Sequence, residues 1–228
     1  MDSAIFIQDE VLPALLPGVW MSLKLIVPSA VLGLIGGVFV GSLRVYGPRW
    51  LAWLTESYVM LFRGTPLVVQ LMIWYFGLPH VGVKLTPYQA SVGGFILISA
   101  AYHSEYIRGA LLSIRRGQIL AAQALGFTRL QTIRSVILPQ ALRRALPGCG
   151  NEIVYLIKYS SLAYIVTCIE LTGQAKKIAS YTFRYSEVFL TVGVFYLLMV
   201  TMATFLLRRL EERLSLPGFG RDASQGGA

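Results

Sequence analysis

This sequence contains residue types that carry out catalysis, but their spacing does not match any catalytic or metal-binding motif. His80 and His103 each lack a nucleophile or metal-ligating partner at a useful spacing, and Cys149 and Cys168 do not have a metal-binding spacing. The sequence contains no Gly-x-x-x-x-Gly-Lys-Ser/Thr phosphate loop, no Gly-x-Ser-x-Gly turn and no suitable pair of carboxylates. We therefore expect a protein that is not an enzyme and has no catalytic, cofactor-binding or metal-binding residues of its own.

The composition indicates an integral membrane protein. Of the 228 residues, 55% are hydrophobic and only 14% are charged, whereas a soluble domain has about 25% charged residues. The mean hydropathy is +0.63. Several apolar runs approach the roughly 20 residues that a helix needs to cross a bilayer. We interpret the chain as an all-α integral membrane protein with one compact domain, residues 1–217.

The apolar runs predict five transmembrane helices. They cover about residues 19–43, 58–78, 90–106, 153–171 and 188–207. Apolar residues before Gly18 predict a short amphipathic helix on the membrane surface. The end of the chain, residues 218–228, is rich in glycine and serine, which predicts a disordered cytoplasmic tail.

The distribution of basic residues predicts the orientation. Most arginines fall in the segments 44–49, 107–148 and 208–221, whereas Lys84, Lys176, Lys177 and Arg184 fall on the opposite side. Cytoplasmic loops carry the excess of arginine and lysine. We therefore expect the N-terminus outside and the C-terminus in the cytoplasm. The net charge of +9 then reflects membrane topology and gives no reason to expect a nucleic-acid partner.

Two groups of polar residues interrupt the apolar segments. The first is Arg63, Thr65 and Pro66 in the second span; the second, near the fourth span, is Asn151, Glu152, Lys158 and Ser161. Polar groups inside a membrane face protein, water or a solute, so both groups are candidates for a translocation path or gate. Pro66 should bend or open its helix. Alternatively, Arg63 forms a structural ion pair or reaches the membrane surface through its long side chain.

Glycines in the first span predict close packing of helices. Gly37 and Gly41 stand four residues apart and therefore lie on one helix face, where small residues allow another helix to approach. At the inner end of the third span, Glu105 and Arg108 have the spacing of an ion pair within a helix. We expect a structural role for this pair.

The segment 107–148 is a loop with its own helical structure. Apolar residues recur at helical spacing on both sides of Gly126, and glycine commonly ends a helix in the left-handed conformation. We predict a helix, a sharp turn at Gly126 and a second helix, followed by Pro139 and Pro147 on the approach to the fourth span.

Two interpretations of this loop follow from its residues alone. Ala121, Ala122 and Ala124 give the first helix a face small enough to press into a groove on another protein. Alternatively, the helix rests on lipid head groups and is held there by its arginines.

Several ordered motifs resemble one family of membrane proteins. Ala121-Ala122, Gly126 and Val136-Ile137-Leu138-Pro139 resemble the EAA loop of permeases of bacterial ABC transporters that depend on a binding protein. Further segments resemble the branch that imports polar amino acids. They are Phe62 to Gln70, Tyr75 to Pro79, Glu105 to Gly109, and Asn151 followed by Lys158 to Leu162.

The resemblance implies a type I ABC importer permease fold with a periplasmic N-terminus in the bacterial inner membrane. It implies two ATPase subunits, which bind ATP and magnesium, a second permease of the same or a homologous kind, an external solute-binding protein and an amino acid substrate. The residues implied to couple the loop to the ATPase are Gly117, Gln118, Ala121, Ala122, Leu125, Gly126, Leu138 and Pro139.

Two positions depart from the family pattern. The acidic residue that usually heads the loop motif is Leu120 here, so the loop would be anchored by apolar packing instead of an ion pair. The acidic residue that usually follows Lys158 is Tyr159, which removes a local ion pair from the fourth span.

Other functions stay open at this point. A secondary transporter driven by an ion gradient would need an intramembrane relay of carboxylates, and Glu105, Glu152 and Glu170 do not form an evident chain. A membrane scaffold whose loop binds a partner without moving solute is a third possibility. The sequence does not distinguish among acidic amino acids, glutamine, basic amino acids and opines as the solute.

Overall fold

A computed structural model describes residues 3–214, and they form a helical bundle. The residues outside this range are 1–2 and 215–228, so the tail 218–228 that we expect to be disordered lies outside the described residues. The helices are α1 Ser3–Tyr46, α2 Arg49–Gly64, α3 Leu67–Val81, α4 Pro87–Leu112, α5 Arg116–Ala124, α6 Arg129–Val166, α7 Leu171–Thr182 and α8 Tyr185–Leu214.

Helix length and composition support two to four membrane spans. Within residues 3–214, α1 and α8 are each long and apolar enough to cross a membrane. Two bent pairs, α2 with α3 and α6 with α7, each qualify if the pair is counted as one span. With 26 residues, α4 is about 39 Å long but falls outside this set. The count of five spans therefore stays a prediction.

The centre of the bundle is the contact between α1 and α4, which run in the same direction. A Cβ added at Gly33 would lie 2.5 Å from Ser99 Oγ, and one added at Gly37 would overlap the Cβ of His103. Gly41 lies against the backbone of Ser104 in the same way. Glycine at these positions therefore sets the distance between the two helices, which confirms the close packing expected on this face.

The first helix differs from the expectation for the N-terminus. The residues before Gly18 do not form a separate surface helix; they continue directly into the span, and Phe6, Val11 and Leu15 are buried against residues of α7 and α8. The resulting helix of 44 residues is about 66 Å long, more than twice the roughly 30 Å hydrocarbon core. Its first turns form one cluster with α7 and the start of α8, which we call the outer cluster because the sequence predicts that this end lies outside.

The second expected span, 58–78, is a bent pair instead of one helix. The axes of α2 and α3 meet at 102°, and the break lies at Thr65 and Pro66, as Pro66 predicts. Gln70 Nε2 stabilises this break by donating to the carbonyl oxygens of Phe62 at 2.8 Å and of Thr65 at 3.0 Å. A buried amide thus replaces backbone hydrogen bonds that the break removes.

The fourth expected span also has different limits. The second helix of the loop and the span are one helix, α6, and both Pro139 and Pro147 lie inside it. A wide π-helical turn, Thr132–Ile137, ends two residues before Pro139 and accommodates the irregularity that a proline introduces. The helix ends at Val166, before the predicted limit of Leu171, because Thr167 adopts a left-handed conformation with φ of 62°.

Candidate functional site

The loop between α4 and α6 contains a rigid turn built around Gly126. Gly126 has φ of 83°, and its N–H donates to Gln123 O at 2.9 Å while Phe127 N–H donates to Ala122 O at 3.1 Å. These two bonds are the Schellman pattern, which satisfies the last carbonyls of α5. The predicted helix end at Gly126 is therefore confirmed.

The next helix begins with an equally well-defined cap. Thr128 Oγ1 accepts from Gln131 N–H at 3.3 Å, and Thr128 N–H donates to Gln131 Oε1 at 2.8 Å. This reciprocal capping box joins directly to the Schellman turn. The direction of α6 relative to α5 is thus fixed by backbone and side-chain bonds on both sides of the turn.

One face of the loop packs against its own bundle. Ala122 and Ile137 are buried, and Ile119 and Ile133 pack against the cluster that contains Ile137 and Ala141. The alanine face predicted to meet a partner is therefore divided, because Ala122 faces the bundle and Ala121 is exposed. Of the other predicted coupling residues, Gly117, Gln118, Leu125, Gly126 and Pro139 are exposed, and Leu138 is half-buried.

The opposite side of the loop exposes large apolar side chains. Leu120 is 54% exposed, Leu125 77% and Leu130 62%, and Phe127 lies between them in sequence. We call these four residues the turn surface. Exposed arginines accompany them: Arg115, Arg116, Arg129 and Arg134. The sequence has no acidic residue between Glu105 and Glu152, so this surface is apolar within a basic surrounding.

Sequence reasoning identified only part of this surface. Leu130 fits the helical repeat of apolar residues, but it points away from the bundle instead of into it. Phe127 follows the turn glycine and belongs to neither helical repeat. The rotation of α6 about its axis, which the turn geometry sets, decides which way the side chains of Phe127 and Leu130 point.

The first polar group belongs to a cluster of ionised residues at one end of the bundle. Glu105 accepts from Arg44 Nη1 at 2.8 Å and from Arg108 Nη2 at 3.0 Å, and Arg63 Nη1 lies 3.1 Å from Glu105 Oε1. The expected pair of Glu105 with Arg108 is therefore confirmed. Arg44 also donates through Nε to Glu56 at 2.9 Å.

Arg63 is held by structural contacts at the last turn of α2. Besides Glu105, its guanidinium lies 5.1 Å from the ring centroid of Tyr102. Thr65 Oγ1 donates to Leu61 O at 2.8 Å and accepts from Gln70 Nε2 at 2.9 Å. Arg63 thus precedes the break and Thr65 lies in it, and no hydrogen bond or ion pair joins either of them to the second polar group among residues 3–214.

The second polar group lies along α6 and is divided between two faces. Asn151 and Lys158 are exposed, and Lys158 Nζ lies 4.3 Å from the ring centroid of Tyr155 on the same face. Glu152 points the other way and is only 1% exposed, as the angular separation of Glu152 and Lys158 predicts. Ser161 Oγ donates to Lys158 O at 2.7 Å.

The described residues do not form a metal site or a catalytic arrangement. In the part of the chain from Ser3 to Leu214, no three His, Cys, Asp or Glu residues could jointly hold a metal ion. Cys149 and Cys168 are buried as free thiols. The arrangement combines an exposed apolar turn surface, a long helix that runs from it into the bundle, and a cluster of charged groups at one end of the bundle.

Comparisons with known proteins agree on one family. Residues 33–216 match the family described as "Binding-protein-dependent transport system inner membrane component". The chain is 40% identical over 211 residues to the glutamine transport system permease protein GlnP of Escherichia coli (strain K12), which covers 90% of this chain and 94% of GlnP. It is 41% identical over 214 residues to the octopine transport system permease protein OccM of Rhizobium meliloti, with coverage of 90% and 87%.

A solved structure has the same fold. The crystal structure of an amino acid ABC transporter with histidines superposes with a TM-score of 0.84 at 32% sequence identity, over 93% of this chain and 99% of the other.

Proposed function

This chain belongs to the family of inner membrane components of binding-protein-dependent transport systems, and from that membership we propose how its parts work. It is a permease subunit of an ABC importer for amino acids, and ATP is hydrolysed by a separate subunit. The continuity of the Gly126 turn with α6 carries the proposal, because it joins the loop outside the bundle to the helix inside it.

We propose five membrane crossings with the N-terminus outside. The contacts of Gly33 with Ser99 and of Gly41 with Ser104 make α1 and α4 parallel, so the α2–α3 pair must return across the membrane between them. The α6 helix leaves the inner turn, and α8 runs back from the outer cluster at Val188 to Leu207 beside Gly150. Supporting this orientation, the Gly126 turn lies at the arginine-rich end.

The turn surface is the proposed contact with the ATPase. One face of α5 is already buried against the bundle of this chain, and Leu120, Leu125, Phe127 and Leu130 project away from the bundle. A helix that rests on lipid head groups would have a polar face on the side away from the membrane, so these apolar residues favour contact with a protein. The partner surface would be an apolar groove with acidic residues around it, matching the arginines beside the turn. Leu120, in place of the family's acidic residue, adds to this apolar contact.

We propose that closure of two ATPase subunits on ATP and magnesium displaces the Gly126 turn and tilts α6. A second permease subunit, identical or homologous, completes the translocation path, and an external solute-binding protein delivers the amino acid. The assembly resides in the lipid of a bacterial inner membrane and has no nucleic-acid component. Transport requires that the ATPase contact the two conformations with different free energies.

The exposed face of α6 is the proposed wall of the translocation path. Tyr106 packs against Gly148 near the inner end of α4, and Lys158 lies about 15 Å farther along α6, near the middle of the membrane. An ionised lysine at that depth requires water, protein or solute in place of lipid. Lys158, Asn151 and Ser161 would therefore face the path, with Thr65 and Pro66 forming the bend beside it.

The residues of the proposed path indicate the general class of the solute but not its identity. An amino acid carries a carboxylate, and Lys158 offers it a positive charge that Tyr159 does not neutralise. The relatives transport glutamine and octopine by name, and we propose an amino acid or an amino acid derivative of this kind.

Uptake by proteoliposomes tests the proposal. The chain is reconstituted with its co-encoded ATPase, and amino acids labelled with ¹⁴C are supplied with the co-encoded binding protein. We expect uptake only when ATP is present on the ATPase side. Uptake by the permease alone under a proton or sodium gradient would support the secondary-transporter alternative and contradict the proposal.

A further inference from the structure

Glu152 is a buried carboxylate for which the described residues provide an incomplete set of donors. Its side chain is 1% exposed, and its Oε1 atom has no hydrogen-bond partner within residues 3–214. Burying an acceptor without a donor is unfavourable by roughly 1–3 kcal/mol, and by more when the group is charged. A residue of this kind calls for a partner in another conformation of the protein.

Glu105 presents the opposite situation. Three arginines surround its carboxylate: Arg44 from α1, Arg108 from its own helix and Arg63 from the end of α2. Two of these would suffice to satisfy both oxygens, since Arg44 bonds Oε1 and Arg108 bonds Oε2. Arg63 is therefore the donor that Glu105 can lose while keeping a partner on each oxygen.

Arg63 pairs with Glu105, and a series of side-chain contacts leads from Arg63 towards Glu152. Its guanidinium stands over Tyr102, and Tyr106, one turn along α4, packs against Gly148 of α6. Glu152 is one turn beyond Gly148 on that helix. Arg63 is close enough for its positive charge to act on the Glu152 carboxylate, although the ion pair of Arg63 is with Glu105.

The elements that carry these residues can move relative to one another. Arg63 occupies the last turn of α2, immediately before the break at Thr65 and Pro66. Glu152 lies on α6, which runs without interruption from the Gly126 turn. A tilt of α6 driven at that turn therefore changes the distance between Glu152 and Arg63, whereas Glu105 stays on α4 against the glycines of α1.

We propose that Arg63 exchanges its carboxylate partner during transport, from Glu105 in the conformation described here to Glu152 in the alternate conformation. The exchange makes Arg63 a positioning residue that gives each conformation one ion pair that the other lacks. This inference rests on the proposed function, because displacement of the Gly126 turn supplies the movement of α6.

Two similar substitutions test the exchange, because each should shift the balance between the two conformations in the opposite direction. Glu105→Gln weakens the partner of the conformation described here, and Glu152→Gln weakens the partner of the alternate one. Glu56→Gln is the matched control, since Glu56 pairs with Arg44 in the same cluster and no contact joins it to Arg63 among the described residues.

The measurement uses the full assembly with its ATPase in proteoliposomes. The native cysteines become alanine, and Tyr155→Cys on the exposed face of α6 serves as the reporter. Its rate of modification by a membrane-impermeant maleimide is measured without nucleotide and with ATP and vanadate. We expect Glu105→Gln and Glu152→Gln to shift the balance of the two states in opposite directions, each by up to about fivefold, the effect of one partly exposed ion pair.

A double variant, Glu105→Gln with Glu152→Gln, should return the balance towards that of the wild type. The exchange would be overturned if both variants shift the balance in the same direction, or if neither shifts it more than Glu56→Gln does. In that case, ATP-dependent import by the wild type would still support the proposed function. A wild-type assembly without ATP-dependent uptake or labelling change would contradict the proposed function and the exchange together.

Discussion

The hydroxyl of Tyr196 on α8 donates a hydrogen bond of 2.9 Å to the buried carboxylate of Glu170. The same carboxylate caps α7 by accepting from the N–H groups of Thr172 and Gly173, both at 2.9 Å, and Ser22 of α1 donates to it at 3.4 Å. One carboxyl group therefore connects α1, α7 and α8 at the end of the bundle where α7 lies.

Tyr196→Phe should lower the stability of the protein because it removes this donor without changing the ring. A hydrogen bond to a charged group contributes about 1.5–3 kcal/mol. The melting temperature of the detergent-solubilised protein measures the loss, and Tyr185→Phe, on the exposed first turn of α8, is the control. Equal melting temperatures for both variants would contradict the role of the Tyr196 bond.

Gly37→Ala should disrupt the contact between α1 and α4. The added Cβ would overlap the Cβ of His103, and neither backbone can retreat without disturbing the contacts at Gly33 and Gly41. Overpacking of this kind costs about 1–3 kcal/mol. Gly93→Ala is the matched control, because nothing lies within 4 Å of a Cβ at that position. The yields of monodisperse protein should fall for Gly37→Ala alone.

Gly126→Ala should weaken coupling while the protein still inserts into the membrane. A Cβ has open space there, but φ of 83° is unfavourable for any residue except glycine, by about 1–2 kcal/mol. We expect lower ATP-dependent uptake, and a stronger effect from Gly126→Asp, whose charge would also spoil docking. Gly109→Ala, on the exposed side of α4 with open space, is the control. Wild-type uptake by Gly126→Asp would contradict the role of the turn.

Leu125→Ser should reduce the affinity for the ATPase. Leu125 is the most exposed residue of the turn surface, so the change leaves the bundle unaltered but removes apolar area from the interface. Loss of a buried leucine side chain corresponds to about 1.5–3 kcal/mol, or at least tenfold in affinity. Binding of the purified ATPase is measured by titration in detergent. Leu112→Ser, also exposed but on α4, should bind as the wild type does.

Lys158→Gln should slow uptake, whereas Lys158→Arg should retain most of it. In the proposed topology Lys158 lies near the middle of the membrane, where its charge requires water, protein or solute. Initial uptake rates at several solute concentrations separate an effect on affinity from one on turnover. Equal rates for Lys158→Gln and the wild type would exclude a place in the path, and Lys84→Gln, in the exposed segment between α3 and α4, is the control.

Short-range patterns predicted the parts of this structure that depend on a few neighbouring residues. Gly37 and Gly41 define a helix face by their spacing, Gly126 ends a helix by its own conformational freedom, and Pro66 breaks one by lacking an N–H. Each of these effects acts within about one helical turn, so the sequence carries them directly.

Features that depend on distant residues were missed. Arg44, Glu56 and Glu105 form one charged cluster, yet they are 12 and 61 positions apart, and no local pattern connects them. Pro139 suggested a boundary that does not exist, because the π-helical turn before it accommodates the proline. The orientation of Leu130 likewise depends on how the capped turn sets α6 against the bundle.

The length of α1 has a consequence for communication across the membrane. Its first turns pack with Leu171 and Val188 at one end of the bundle, and its last turn carries Arg44 of the charged cluster at the other. In the proposed orientation, a solute-binding protein that contacts the first of these ends would apply force to the same helix that holds Arg44. Binding of that protein and the state of the charged cluster would then be coupled through one continuous helix.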